Sequence, residues 1–230
     1  MSEFNGRERL KIIRDGVAEA ALSAGRSVDD VSILAVSKTQ SVEEMRRFAA
    51  LGVTAFGESR IQEALPKIEA LRFLPDICFH FIGKLQSNKA KFAVGKFTLI
   101  HSVDKITLAQ QIQIYAKNAG YKQDILIQIN LAEETQKGGV LNSELEQFYE
   151  RVTALPDIRV RGFMMIPPWQ KDPEKNRRLF ALMKKVFDKY TARGEFIKIL
   201  SMGMSDDYKV AVQEGATMVR IGTALFGTRN

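Results

Sequence analysis

A lysine follows the first strongly apolar segment of the chain, and its position allows two kinds of behaviour. Residues 33–36 are all apolar, which is typical of a strand buried on both faces of a parallel sheet. Lys38 has the same side-chain parity as Leu34 and Val36, so its amine can point into the interior that those residues line. Burial there would lower the pKa of the amine, and a partly neutral amine attacks aldehydes to form a Schiff base. Alternatively, the lysine stem covers apolar surface and the charge stays in water.

Two glycine-containing segments near the end of the chain have the composition of a phosphate site. Residues 201–207 read Ser-Met-Gly-Met-Ser-Asp-Asp, and residues 222–227 read Gly-Thr-Ala-Leu-Phe-Gly. Each offers glycine for close backbone approach, a hydroxyl group and free N–H groups at a predicted helix start. The carboxylates of residues 206 and 207 would repel a phosphate and are interpreted as part of a helix cap. The predicted phosphate donors are Ser201, Gly203, Gly222 and Thr223.

Arg220 lies in an otherwise apolar segment, Met218–Ile221, so a permanent charge is placed at or near the interior. Such a charge requires a partner, and a structural ion pair is one explanation. The other is that the guanidinium donates to a ring nitrogen, such as the pyridine nitrogen of pyridoxal 5′-phosphate (PLP). An arginine partner would keep that nitrogen unprotonated and weaken the ring as an electron sink. The lysine, the phosphate segments and the arginine together predict PLP as the ligand.

Other candidate groups give weaker indications of function. His80 and His101 are the only histidines, and with one cysteine in the chain a metal site is less expected than hydrogen bonding within the core. A run of lysines at positions 84, 89, 91 and 96 would suit a nucleic acid, but it lacks interleaved aromatic residues, which favours a solvated helix face. No dinucleotide fingerprint, Walker loop or Ser/His/Asp order occurs.

Strand-like and helix-like segments alternate along the whole chain. Strands are predicted at residues 33–36, 53–57, 78–83, 97–101, 124–130, 160–166, 196–200 and 217–221. Helices are predicted at 4–24, 41–51, 58–72, 85–94, 104–119, 143–154, 173–192 and 206–214. Eight such units predict a single α/β domain over residues 1–230, a (β/α)₈ TIM barrel with an extra N-terminal helix. An open doubly wound sheet is the alternative, although it usually has about five to seven strands.

Composition adds broad expectations. One cysteine precludes an internal disulfide, the charged first residues lack a signal-like apolar run, and no apolar stretch reaches the ~20 residues of a membrane helix. We therefore expect a cytoplasmic protein without membrane contact, and a monomer. The net charge of +7 favours anionic ligands or weak nucleic-acid contact without choosing between them.

Several motifs resemble those of a known family. The motifs are Ile-Leu-Ala-Val-Ser-Lys-Thr at 33–39, Phe-Gly-Glu at 56–58, His-Phe-Ile-Gly at 80–83, Leu-Gln-Ser-Asn-Lys at 85–89, Ser-Met-Gly-Met-Ser-Asp-Asp at 201–207, Val-Arg-Ile-Gly-Thr at 219–223 and Phe-Gly at 226–227. They are similar to those of the pyridoxal phosphate homeostasis proteins of the YggS/PROSC type. The likeness covers nearly the whole chain. It implies a barrel similar to the N-terminal barrel of alanine racemase, and management of cofactor supply rather than turnover of a substrate.

The resemblance also assigns roles to residues. It implies that Lys38 is the Schiff-base residue, that Arg220 is the ring-nitrogen partner and that Ser201, Gly222 and Thr223 are phosphate ligands. The family commonly has asparagine where this chain has Ser59, so a hydrogen bond from this position to the cofactor would pass through water. Alternatively, position 59 only caps the following helix.

Three functions are compared. The favoured function is a protein that holds PLP and delivers it to PLP-dependent apoenzymes, rather than an enzyme that turns over a substrate. An amino-acid racemase needs an acid/base group on each face of the substrate, and only Tyr208 is expected near the barrel mouth. An RNA-binding module would give salt-sensitive affinity independent of Lys38. We further predict that the loop around Lys137 moves over the cofactor and that Lys137 takes the aldehyde during release.

Overall fold

Eight parallel strands close into a barrel in sequence order, with β8 pairing β1, which confirms the predicted fold class. The computed structural model describes residues 5–134, 136–193 and 196–227. The strands are β1 Ser32–Val36, β2 Ala55–Glu58, β3 Cys78–Phe81, β4 Leu99–Val103, β5 Gln123–Ile129, β6 Ile158–Met165, β7 Ile199–Met204 and β8 Met218–Ile221.

Helices cover the outside of the barrel. They are α1 Gly6–Ser23, α2 Val42–Ala50, α3 Ile61–Leu71, α4 Ala90–Ala93, α5 Ile106–Asn118, α6 Leu145–Thr153, α7 Arg177–Thr191, α8 Tyr208–Gln213 and α9 Thr223–Phe226. Short 3₁₀ turns occupy Val28–Asp30, Ser87–Lys89 and Pro173–Asn176. Among the described residues, no helix combines the length and the apolar character needed to cross a membrane.

The strands separate two apolar regions because alternate side chains point to opposite faces. Leu99, Leu126 and Met164 pack together as one small cluster, apart from the larger core that lies between the strands and the helices. In the pairing of β1 with β8, Leu34 lies opposite Arg220. The arginine therefore shares the inner face with Leu34, as its sequence context predicted.

Helix boundaries agree with the sequence patterns where a cap defines them. The Oγ of Ser41 accepts a hydrogen bond from the N–H of Glu44 at 3.1 Å and caps α2, at the first residue of the helix predicted over 41–51. The predicted helix at 85–94 is instead a 3₁₀ turn followed by the single turn of α4.

Strand β7 differs most from its prediction. The sequence predicts a strand at residues 196–200, whereas β7 begins at Ile199 and continues to Met204. Its pairing with β8 shifts register between Ser201 and Met204, and Gly203 lies within that shift at φ +89°. A β-bulge of this kind carries small and polar residues inside a strand, so they read as a loop in the sequence.

Candidate functional site

A cavity of about 310 Å³ lies at the carboxyl ends of the strands, the end where barrels of this class place their ligands. Its volume is in the range of a small-molecule site. Of the residues predicted to form a site, Lys38, Ser59, Arg220, Gly222 and Thr223 line this cavity. Ile82, Ile166 and Phe226 contribute apolar parts of its wall.

Lys38 is held in a tight turn that follows β1. The N–H of Ser37 donates to Gly57 O at 3.0 Å, and the N–H of Gln40 donates to Ser37 O at 3.0 Å. Thr39 has φ +66°, an uncommon and strained conformation for a β-branched residue. Lys38 itself is half-buried, and its amine forms no hydrogen bond or ion pair with any described residue. The turn therefore presents an unpaired amine to the cavity.

Arg220 is buried, with 4% of its surface exposed, and is held by neutral acceptors. Its Nη1 donates to Ser201 O and Ser201 Oγ, both at 2.9 Å, and its Nη2 donates to Met165 O at 2.9 Å. Burial lowers the pKa of Arg220 to about 10, although the charge of Asp207 acts in the opposite direction. Within the described ranges it makes no ion pair, so the structural ion-pair explanation is wrong. At least two of its five N–H groups have no acceptor among those residues.

Ser201 and Gly203 do not lie where the sequence prediction placed them. Both are inside β7 instead of the loop after it, and neither lines the cavity. The Ser201 hydroxyl is buried beneath Arg220 and accepts one of its hydrogen bonds. A Cβ on Gly203 would lie 2.5 Å from the Cβ of Ala211, so this glycine serves the packing of α8 against β7.

Ser205 occupies the place predicted for Ser201. It lines the cavity, and its Oγ accepts hydrogen bonds from the N–H groups of Gly222 at 3.3 Å and Ala224 at 3.2 Å. The N–H groups of Gly222 and Ala224 therefore converge on one point, which the Ser205 hydroxyl occupies. The sequence analysis does not include Ser205 among the phosphate donors and so misses this contact. A serine one residue beyond the glycine-containing strand end was the available signal.

The two aspartates after Ser205 behave differently from each other. Asp207 is buried, and its Oδ1 accepts the N–H of Met204 at 2.7 Å while its Oδ2 accepts from Asn176 Nδ2 at 3.1 Å. Its carboxylate closes the turn between β7 and α8 and makes no side-chain cap to α8. Asp206 is exposed and lines the cavity.

Ser59 lies on the cavity wall directly after β2. Arg60, not Ser59, is the N-cap residue of α3, and no side-chain cap bond forms there. The alternative prediction, that position 59 only caps the helix, is therefore wrong. The Ser59 position instead faces the cavity.

A buried polar cluster lies on the outer side of the Lys38 turn. The Glu58 carboxylate is fully buried, and its Oε1 accepts from Ser37 Oγ at 2.7 Å and from Lys67 Nζ at 2.8 Å. Lys67 Nζ also donates to Ser37 O at 2.9 Å. Glu58 Oε2 has no hydrogen-bond partner among the described residues. The sequence interpretation did not identify this cluster.

The two histidines form a pair inside the barrel wall. His80 Nδ1 and His101 Nε2 are 3.1 Å apart, so one ring donates to the other, and Cys78 Sγ is 3.6 Å from His80 Nε2. Burial lowers the pKa of His80 to about 4. Burial, with smaller contributions from His80 and Arg220, holds the pKa of His101 well below its ordinary value. Neither ring lines the cavity.

Lys137 lies in a neighbouring cavity of about 320 Å³ that shares Ile82 and Ile166 with the first. Its Nζ donates to Pro167 O at 3.0 Å and pairs with Glu134 Oε2 at 2.5 Å. Lys137 is therefore next to the first cavity without lining it. Thr135, in the same loop, lies outside the described residues.

Tyr208 does not take part in the site. It is buried at the start of α8, and its hydroxyl lies against Gly16 of α1. No tyrosine occurs among the described residues that line the cavity. Tyr208, the tyrosine expected near the barrel mouth, does not line the cavity, because the end of α8 that carries it packs on α1.

A closed parallel barrel with an unpaired lysine and a buried arginine on one cavity defines a small-ligand-binding (β/α)₈ protein. The chain belongs to the alanine racemase N-terminal domain family, whose model matches residues 17–230, and within it to the pyridoxal phosphate homeostasis proteins. The pyridoxal phosphate homeostasis protein of Aquifex aeolicus is 42% identical over 227 residues, which are 98% of this chain and 99% of the relative.

Solved structures agree with this assignment. PipY of Synechococcus elongatus, in a structure with PLP bound, is 36% identical with a TM-score of 0.80 and covers 92% of this chain and 100% of its own. An alanine racemase of Clostridium difficile, at 19% identity and a TM-score of 0.73, shares the fold over 98% of this chain and 57% of its own.

Proposed function

We propose that this protein binds PLP in the cavity, anchors it as a Schiff base at Lys38, and holds and delivers the cofactor. The observation that carries the proposal is that one cavity contains both an unpaired lysine amine and the guanidinium of a buried arginine with unused donors. The relatives' names and the PLP-bound PipY structure support the same ligand.

The chemical groups on the cavity wall match the parts of PLP. PLP supplies an aldehyde, and the Lys38 nitrogen bonds to its carbon with loss of one water. The backbone N–H groups of Gly222 and Ala224, with the Thr223 hydroxyl, are donors for the phosphate. Arg220 donates to the ring nitrogen and keeps it unprotonated.

We propose binding without ordinary turnover. An amino-acid racemase requires a proton donor or acceptor on each face of its substrate. Lys38 can serve one face, but the described wall carries no tyrosine or histidine for the other, and Tyr208 is turned toward α1. An arginine at the ring nitrogen further weakens the electron sink that such chemistry needs. The recipients of the cofactor in this proposal are PLP-dependent apoenzymes, and the cytoplasmic location stays a prediction.

The test is a spectrum of the purified protein mixed with PLP, followed by borohydride reduction and peptide mapping. We expect a yellow chromophore that reduction fixes on the peptide containing Lys38, and loss of that label in Lys38→Ala. The matched control is Lys84→Ala, which removes an exposed lysine at the same end of the barrel. Label fixed elsewhere in the wild-type chain would refute the assignment of Lys38.

The same samples test the racemase alternative. Incubation of the PLP-loaded protein with single enantiomers of amino acids should leave their configuration unchanged over many cofactor equivalents. Racemisation at an ordinary enzymatic rate that disappears in Lys38→Ala would replace the binding proposal with an enzymatic one.

A further inference from the structure

The buried Glu58–Lys67 pair contacts the residue that immediately precedes the proposed Schiff-base lysine. Ser37 and Lys38 directly follow β1: the Ser37 hydroxyl contacts Glu58, which pairs with Lys67 of α3, whereas Lys38 lines the cavity. Lys67, in the middle of α3, is 8% exposed and reaches Ser37 O, while Glu58 takes the Ser37 hydroxyl. Both members of the ion pair therefore hold Ser37.

These contacts act on a strained turn. Ser37 O accepts from Lys67 and also from the N–H of Gln40, the bond that closes the turn around Thr39. Helix α3 thus contacts, through Lys67, the peptide group that joins Ser37 to Lys38.

The buried pair is poorly explained by stability alone. The desolvation free energy of two buried charges cancels much of their electrostatic attraction. Apolar residues of similar volume often stabilise a core equally well. Here one oxygen, Glu58 Oε2, is left without a partner among the described residues, which adds to that cost. A role in fixing the local backbone geometry explains why the pair lies at this position despite the energetic cost of burying it.

We propose that Lys67, paired with Glu58, is a positioning residue that fixes the Ser37 peptide and thereby aims the Lys38 amine at the ligand aldehyde. This inference rests on the proposed Schiff base at Lys38 and adds the group that orients it. Because small displacements of a reacting group can lower a rate by about 10²-fold, loosening the turn should slow the covalent step far more than ligand binding.

The experiment separates binding from bond formation with two ligands. PLP carries the aldehyde, whereas pyridoxine 5′-phosphate carries an alcohol in its place and reports only on phosphate and ring contacts. The test variant is Glu58→Gln combined with Lys67→Met, which removes both charges together, since Lys67→Met alone would leave a buried carboxylate unpaired. Lys184→Met is the matched control, because Lys184 pairs with Asp188 on the exposed face of α7.

We expect the double variant to form the Schiff base about 10- to 100-fold more slowly than wild type, with pyridoxine 5′-phosphate affinity changed by less than about threefold. Lys67→Arg, which keeps the charge and the donors, should restore much of the rate. Ser37→Ala, a small change that removes only the hydroxyl contact to Glu58, should lower the rate in the same direction and applies if the double variant does not fold.

Two results would overturn the inference. One is an unchanged rate of Schiff-base formation in the folded double variant, or in Ser37→Ala if the double variant is unfolded. The other is a parallel loss of PLP and pyridoxine 5′-phosphate binding, which would indicate a collapsed cavity. Failure of the proposed function is distinct, because wild-type protein would then carry no reducible label at Lys38.

Discussion

The His80–His101 pair predicts that mild acid destabilises this protein. Both rings are buried and neutral, with 6% and 0% of their surfaces exposed. In the unfolded chain a histidine has a pKa of about 6.5, so unfolding at mildly acidic pH takes up protons. The folded pKa is lowered, so the contribution of each ring is complete above about pH 6.5 and is lost as the pH falls toward the folded value.

The size of the effect follows from the pKa of His80, about 4. Between about pH 7.5 and about pH 5 the unfolded imidazole becomes almost fully protonated while the folded one stays mostly neutral, which removes about 2 kcal/mol of stability. His101, whose pKa is also held well below its ordinary value, adds a loss in the same direction. The loss from His80 alone is already a substantial part of the about 5–15 kcal/mol by which an ordinary protein is stable.

Urea unfolding followed by far-ultraviolet circular dichroism measures this loss. The comparison is with a double variant, His80→Asn with His101→Gln, which keeps polar side chains but cannot titrate in this range. The variant will start from a different stability, so the relevant quantity is the change in unfolding free energy between the two pH values. Carboxylates that titrate in acid are common to both proteins and cancel. Equal losses in wild type and variant would refute the reasoning.

Three further substitutions test the cavity and the residues around it. In Gly83→Ala the new Cβ would lie 2.1 Å from Ser59 O. The substitution should therefore lower the free energy of unfolding by about 1–3 kcal/mol, and the Tm by about 2–4 °C for each kcal/mol. An unchanged Tm would contradict the close approach of these two backbone segments. Ser59→Asn should tighten PLP binding severalfold by adding a hydrogen bond of about 1 kcal/mol, and equal dissociation constants would argue against a direct contact. Lys137→Ala, which frees Pro167 O and Glu134, should leave binding intact but slow transfer of PLP to an apoenzyme; an unchanged transfer rate removes Lys137 from release.

The barrel was predictable because each strand carries its own signal. Buried parallel strands read as short apolar runs, and the amphipathic helices between them show a different period. Eight repeats of that alternation leave little room for another topology. The position of Lys38 after β1 and of Arg220 within β8 followed from the same patterns, since Lys38 comes two residues after an apolar run and Arg220 lies inside one.

The end of β7 could not be placed in this way. Ser201 and Gly203 have the composition of a loop, yet they continue the strand because β7 pairs with β8 through a register shift. The hydroxyl that faces the cavity is consequently that of Ser205, not Ser201. A bulge changes which residue ends a strand, and its position depends on the neighbouring strand rather than on local composition.

Lys67 was missed for a related reason. In the sequence it is one of several charged residues on an amphipathic helix, and such lysines are usually solvated. Its burial depends on Glu58, nine positions earlier, and on Ser37, thirty positions earlier. The local signal was a carboxylate at the end of the apolar strand β2, which needs a partner wherever it is buried.

The buried charges on the two faces of the barrel wall have different roles: those on the outer face fix the backbone, and the one on the inner face is available to a ligand. On the outer face, Glu58 and Lys67 neutralise each other and hold the backbone at Ser37, so they contribute no free charge to the cavity. On the inner face, Arg220 is held only by neutral acceptors and keeps both its charge and part of its donor capacity for a ligand. Lys38, between the two faces, has its backbone fixed from outside and its amine unpaired inside. Orientation and recognition can therefore be altered separately, which is why outer-face variants should change the rate of bond formation whereas changes at Arg220 should change affinity.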